Sequence, residues 1–547
     1  MPKLFNMVSP PGSSTDEPKS PYLHPSASSL EYSLNPAETT DGDDFVSPFQ
    51  GHTRNDQRDM MRMGKNQEFA RMYRPVAALS FSIVLGATWE FMLLSQHEGL
   101  NDGGVAGLFW SYVWTFIGFG FCVYSMAEMA SMAPISGGQY HWVSEFASPK
   151  YQRFLSYITG WMSVLAWQAG AAAGPFLAGT LIQGLIILHR PSYEPARWQG
   201  TLLVCAMAFC IYVVNVWFAR AMPMIQNILL VLHVLGFLIV IIVLWAMAPR
   251  NSPRTVFTAF TDRGGWSTIG LSLMVGQITA IYGSLTSDAT AHMAEEVRDA
   301  SRHVPRAMAW GYIINCIMGI ILLVTYLFAL PSVGAAIENP TSFPFLYVFG
   351  GALAPSGVTI LAGVVLLLVF SSNITYGAAA SRQTFSFARD HGLPFSEWLA
   401  AVHNTKHIPT NSILFTCIFT SLLSLIYIGS EVAFNAIISL YAGSLMFTYA
   451  FSVGSVLYQR IYHPAQLPPA SWSLGKRGGP IVNAISLLYI IFALFWCFWP
   501  NKSFVTVDNF NWGVVMFLAV ACASLVMYFV QGRKVYEGPV STVIGRY

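Results

Sequence analysis

Windows of about 20 consecutive apolar residues recur twelve times along this chain, and that recurrence leaves few folds open. Their expected limits are 76–96, 105–130, 154–188, 200–219, 224–247, 268–289, 308–330, 357–380, 411–428, 432–458, 481–499 and 511–531. A backbone crossing lipid must satisfy its own hydrogen bonds, so runs of this length form helices. Only 10% of the 547 residues are charged and 54% are hydrophobic, with a mean hydropathy of +0.49. Soluble domains average roughly 25% charged residues, so this chain cannot coat a water-soluble surface. It reads as an all-α integral membrane protein with twelve transmembrane helices, and the lipid bilayer is its first partner. A net charge of +2 without any basic tract gives no reason to expect a nucleic-acid partner. The seven cysteines lie in apolar stretches, are odd in number and lack C-x-x-C or metal-ligand spacing. They read as small core residues, with no metal and no cofactor implied.

The first 70 residues differ from the rest: rich in Ser, Pro, Asp and Gly and without apolar period, they read as a disordered tail. No early apolar segment resembles a signal peptide, so the first span is expected to direct membrane insertion. Twelve spans place both termini on one side. With that side cytoplasmic, all but six of the 29 lysines and arginines fall there, the exceptions being Arg190, Arg197, Arg250, Arg254, Arg263 and Lys502. The excess of positive charge therefore favours cytoplasmic termini.

Two spans carry matching interruptions. Span 1 contains Gly86-Ala87-Thr88-Trp89-Glu90, and span 6 contains Tyr282-Gly283-Ser284-Leu285-Thr286-Ser287-Asp288. Each has a glycine near its middle, small polar residues after it, and a carboxylate four or five positions on. Such a pair in corresponding positions points to an inverted-repeat transporter with broken helices around a midplane site. Either glycine alone is equally consistent with a kinked helix that packs closely on its neighbours.

Three further stretches carry a resemblance. They are A-E-M-A-S-M-A-P-I-S-G-G-Q-Y-H-W-V from Ala127, H-M-A-E-E-V-R-D-A-S-R-H-V-P-R-A-M from His292, and S-R-Q-T-F-S-F-A-R-D-H-G-L-P-F from Ser381. In order and in place, they resemble the amino acid–polyamine–organocation permeases, within them the fungal amino-acid, GABA and choline permeases, over about residues 70 to 531. The resemblance implies five-plus-five inverted repeats (71–247 and 248–458), two additional spans within 459–531, and a cytoplasmic tail over 532–547. It further implies a small-molecule substrate, an amino acid or related amine, driven by an ion gradient. In the fungal type the ion is expected to be the proton and the membrane the plasma membrane. The substrate cradle would be the backbone of Gly86, Ala87, Thr88, Gly283, Ser284 and Leu285, with Tyr282 as an aromatic lid.

Glu90 departs from the simplest form of that pattern, in which span 1 offers backbone alone. Facing the site, it would attract an ammonium or carry the coupling proton; at the outer end of the break it would merely be hydrated. Asp288 is its counterpart in span 6. His233 is the only ionisable residue in the middle of span 5, where some proton-coupled relatives place a lysine, and is either a titrating group or an interhelical hydrogen bond. Ser371, Ser372 and Asn373 in span 8 fall where sodium-coupled relatives hold a cation, or else hydrogen-bond between helices. Glu296 and Arg302, within a charged cluster below span 6, either help close the inner gate by ion pairing or belong to a solvated loop. A nutrient sensor on the same fold is the second reading. A membrane enzyme is the third, and no H-E-x-x-H, G-x-S-x-G, P-loop or multi-histidine motif supports it.

Overall fold

The computed structural model describes residues 52–429, 433–507 and 509–539. Among them, twelve helices are long and apolar enough to cross a membrane. In chain order, spans 1 to 12 are Pro75–Leu94, Gly104–Met132, Gln152–His189, Arg197–Trp217, Ala219–Met247, Ile269–His292, Ala300–Ala329, Pro355–Arg389, Thr410–Gly429, Asn435–Tyr462, Gly475–Trp496 and Gly513–Val535. Bulky side chains such as Phe209, Leu235, Ile242, Leu422, Ile491 and Phe529 stay exposed on spans 4, 5, 9, 11 and 12. That outward apolar belt is what lipid requires and water forbids. Span 3 runs through the interior and packs along spans 8 and 10.

Several limits differ from expectation. Span 7 begins eight residues earlier and span 8 ends nine residues later, because both continue as helices beyond the apolar region with their charged ends held by other elements. Short helices at Gln139–Phe146 and Pro344–Ala352 went unforeseen, being too short to register as spans.

The stretch before span 1 corrects the expectation of a disordered tail. Residues 1–51 lie outside the described residues, but Arg54–Arg62 is a helix. It is closed by a reciprocal cap between Thr53 and Asp56, in which each backbone N–H donates to the other's side chain. Asp56 is buried and also accepts from the backbone N–H groups of Asp299 (3.0 Å) and Ala300 (3.0 Å). Asp299 does not cap span 7 with its own side chain, so a residue more than two hundred positions earlier does so. At the other end of the chain Tyr536 is fully buried. Its hydroxyl meets Ser156 at 2.6 Å and its ring packs against Tyr157 and Phe387. Both described ends thus fasten to the same face of the bundle, called here the terminal face.

Candidate functional site

Span 1 breaks where the sequence predicts. Helix Pro75–Gly86 stops at Ala87, whose backbone is left-handed (φ 39°, ψ 40°), and a second helix runs Thr88–Leu94. Two carbonyls near the break are received by other spans: Asn315 donates to Ile83 O (3.2 Å) and Ser372 to Leu85 O (2.8 Å). Glycine at position 86 leaves room for that Asn315 contact, since a β-carbon there would lie 2.5 Å from the Asn315 amide nitrogen and displace it. Ser371 turns back on its own helix and donates to Leu367 O at 2.8 Å.

Span 6 breaks more widely. Helix Ile278–Ser284 ends at Leu285 in extended backbone, Thr286 has φ 91°, and a single turn resumes at Ala289–His292. Ser284 donates to Ala280 O of its own helix, and Gly283 faces the Tyr112 hydroxyl.

Each break is followed by a buried carboxylate, and the two have different company. Glu90 Oε1 lies at hydrogen-bond distance, 2.6 Å, from Nδ1 of His233, while Glu90 Oε2 and His233 Nε2 have no hydrogen-bond partner among the described residues. The two residues singled out separately in spans 1 and 5 are therefore one pair, roofed by Trp89. Asp288 accepts from Gln139 (2.7 Å) and from the Tyr449 hydroxyl (2.6 Å), with His292 Nε2 at 3.4 Å. His292 Nδ1 faces the Ser136 carbonyl at 2.9 Å, which can only accept. In the neutral ring Nε2 then carries a lone pair and offers Asp288 no hydrogen.

Above the breaks, on the face opposite the termini, lies a cavity of about 810 Å³ lined by Glu98, Phe176, Gln183, Asn435 and Trp499, with Tyr282 among its walls. Tyr282 packs edge-on against both Phe91 and Tyr441.

A family model described as amino acid permease matches residues 74–521. The chain belongs to the amino acid permease family. The permease is 29% identical over 79% of its length to a Macrophomina phaseolina protein named for amino acid and polyamine transport, covering 95% of that protein. It is 25% identical to the choline transporter of Saccharomyces cerevisiae (82% of this chain, 79% of the relative) and 26% to an amino-acid permease of Arabidopsis thaliana (89% and 96%). Among solved structures, the manganese transporter of Eremococcus coleocola matches with a TM-score of 0.52 at 14% identity, covering 84% of this chain and 95% of that one. That likeness is one of fold.

The terminal face of the permease is sealed by ion pairs. Arg389 grips Glu295 with two hydrogen bonds of 2.9 Å, and Arg382 meets Glu296 at 2.7 Å. Burial alone would raise the Glu295 pKa, but the charge and hydrogen bonds of Arg389 outweigh it and hold the carboxyl below its ordinary value. Asp390 pairs with Lys65 and accepts from the Tyr140 hydroxyl. Arg71 reaches Ala294 O and Val297 O and pairs with Asp56 at 3.1 Å. Arg302 stands apart from this layer: its side chain is 55% exposed and its partner is Asp299 at 3.6 Å, not Glu296.

Gln139, His292, Arg382, Arg389 and Asp390 all fall inside or beside the three quoted motifs, which the fold gathers into one layer. Asn315, Tyr376, Tyr441, Tyr449 and Trp167 were missed. Each is an ordinary apolar-helix residue until span crossings give it a neighbour.

Proposed function

We propose that this protein is a secondary-active permease that imports an amino acid or related amine across the plasma membrane, with the terminal face cytoplasmic. The observation that carries the reading is the pair of helix breaks at Ala87 and Leu285–Ser287, each followed by a buried carboxylate. Irregular backbone is tolerated at membrane depth only where protein or a cavity receives it, and broken spans of this kind mark transporter binding sites. Spans 1–5 and 6–10 are read as inverted repeats, each opening on its broken helix.

The asymmetry of the two faces supports alternating access. The large cavity lies on the side away from the termini, while the Glu295–Arg389 and Glu296–Arg382 pairs close the terminal side. Opening inward requires those pairs to part. The Glu90–His233 pair is the candidate for coupling, because a proton on either member changes the charge of a dry contact between spans 1 and 5. Substrate would meet Tyr282 first and the segment Gly283–Asp288 next, with Gly86–Thr88 opposite.

An uptake screen of amino acids, GABA, choline and polyamines in a transport-deficient host, with and without a protonophore, tests this reading. Accumulation of one class, abolished by the protonophore, is expected. Binding without accumulation of any solute would instead mark a sensor.

A further inference from the structure

An unbroken file of rings joins the cavity wall to Asp288. Tyr282 in span 6 packs edge-on against Tyr441 in span 10 at 6.1 Å, and Tyr441 against Tyr376 in span 8 at 6.0 Å. Tyr376 meets Trp167 in span 3 at 4.9 Å, Trp167 meets His292 at 4.8 Å, and His292 meets Asp288. Tyr376 is seated on Gly170, where any β-carbon would collide with its hydroxyl.

At the end of the file, Asp288 is buried without a permanent cation beside it. Gln139 and Tyr449 are neutral donors, His292 at 3.4 Å is a cation only when protonated, and among the described residues no lysine or arginine pairs with Asp288. On the terminal face, Arg382 and Arg389 are engaged by Glu296 and Glu295. A buried carboxylate ordinarily has a cationic partner, and ring faces attract cations. At the other end of the site, the first turn after the span 1 break brings a second carboxyl group, Glu90, paired with His233, rather than a lysine or arginine.

We propose that the ring file is the passage for an organic ammonium ion and Asp288 its receptor, so that the transported species is a net cation rather than a zwitterionic α-amino acid. This rests on the reading of the protein as a transporter and narrows its substrate class.

The test uses the full chain in liposomes, with labelled choline, putrescine and L-alanine as probes. Choline or putrescine should be taken up and L-alanine should neither enter nor compete. Asp288→Asn should weaken the apparent affinity for the cation at least tenfold. Tyr376→Leu should weaken it at least tenfold more than Tyr376→Phe, which keeps the ring. The Tyr376 pair decides the matter should the Asp288 variant fail to fold. L-alanine uptake matching that of the cations, or equal affinities in the two Tyr376 variants, overturns the substrate class and leaves the transporter standing. No uptake or exchange of any solute by folded protein overturns the transporter reading itself.

Discussion

A carboxylate in the middle of a bilayer persists only where something receives it, and for Glu90 the receiver is His233. Both members were visible in the sequence as lone ionisable residues in apolar runs, but their pairing was not. They stand 143 positions apart, and only the crossing of spans 1 and 5 brings them together. Removing one partner of a buried pair costs about 3–5 kcal/mol, because the other is left unpaired. Glu90→Gln keeps a hydrogen-bond acceptor but cannot titrate. We expect it to abolish uphill uptake in liposomes with an imposed pH gradient while permitting exchange, with His233→Gln doing the same. Wild-type pH dependence in either variant removes the pair from coupling. Ser372 teaches the complementary lesson. It was singled out either for a cation site or for an interhelical hydrogen bond, and its hydroxyl donates to Leu85 O at the break, a partner that spacing within span 8 could not reveal.

At the scale of elements, both interruptions were legible because glycine and small polar residues inside an apolar run have few other reasons to be there. The ion-pair layer proposed as the gate was legible only in part. Glu296 belongs to that layer, but its partner is Arg382 in span 8, since span 7 turns Arg302 outward. Arg382→Gln should therefore raise the labelling rate of a cysteine introduced on the terminal side of the site, while Arg302→Gln leaves both rate and stability within about 0.5 kcal/mol. Equal effects of the two would remove the gate assignment. A second element-scale expectation concerns the two-residue ladder that pairs Asp102 with Asp262 on the cavity side. Burial, aided by the charge of Glu98, pushes the Asp102 carboxyl up to about 7 from an ordinary 3.8. Below 3.8 folded and unfolded chains are both protonated and this contribution is fully present; it is lost as pH rises through 7. Thermal stability should thus fall between about pH 4 and pH 7 by at most about 4 kcal/mol. Asp102→Asn should flatten that slope, and an unchanged slope refutes the assignment.

For the molecule as a whole, the number of spans and their order could be read from hydropathy alone, because lipid imposes one rule on every crossing segment. What could not be read is everything that depends on which spans touch. The ring file draws on spans 3, 6, 8 and 10, and no periodicity within one span marks its members. The cap that Asp56 places on span 7 has a consequence in time. Synthesis proceeds from the N-terminus at about 5–20 residues per second, so Asp56 waits roughly 12–50 s on the ribosome for the Asp299 and Ala300 amides to be made. Throughout that interval the helix Arg54–Arg62 lacks this dock and has the contacts of Arg62 with Glu145 and Met132 O in its place. Nascent chains arrested before residue 300 should lose it to added protease, whereas released full-length chains should keep it. Equal cleavage in both would mean the cap does not hold the segment. Tyr536, which fastens the same face from the other end, emerges last. The face bearing both ends is therefore the final part of the protein to set.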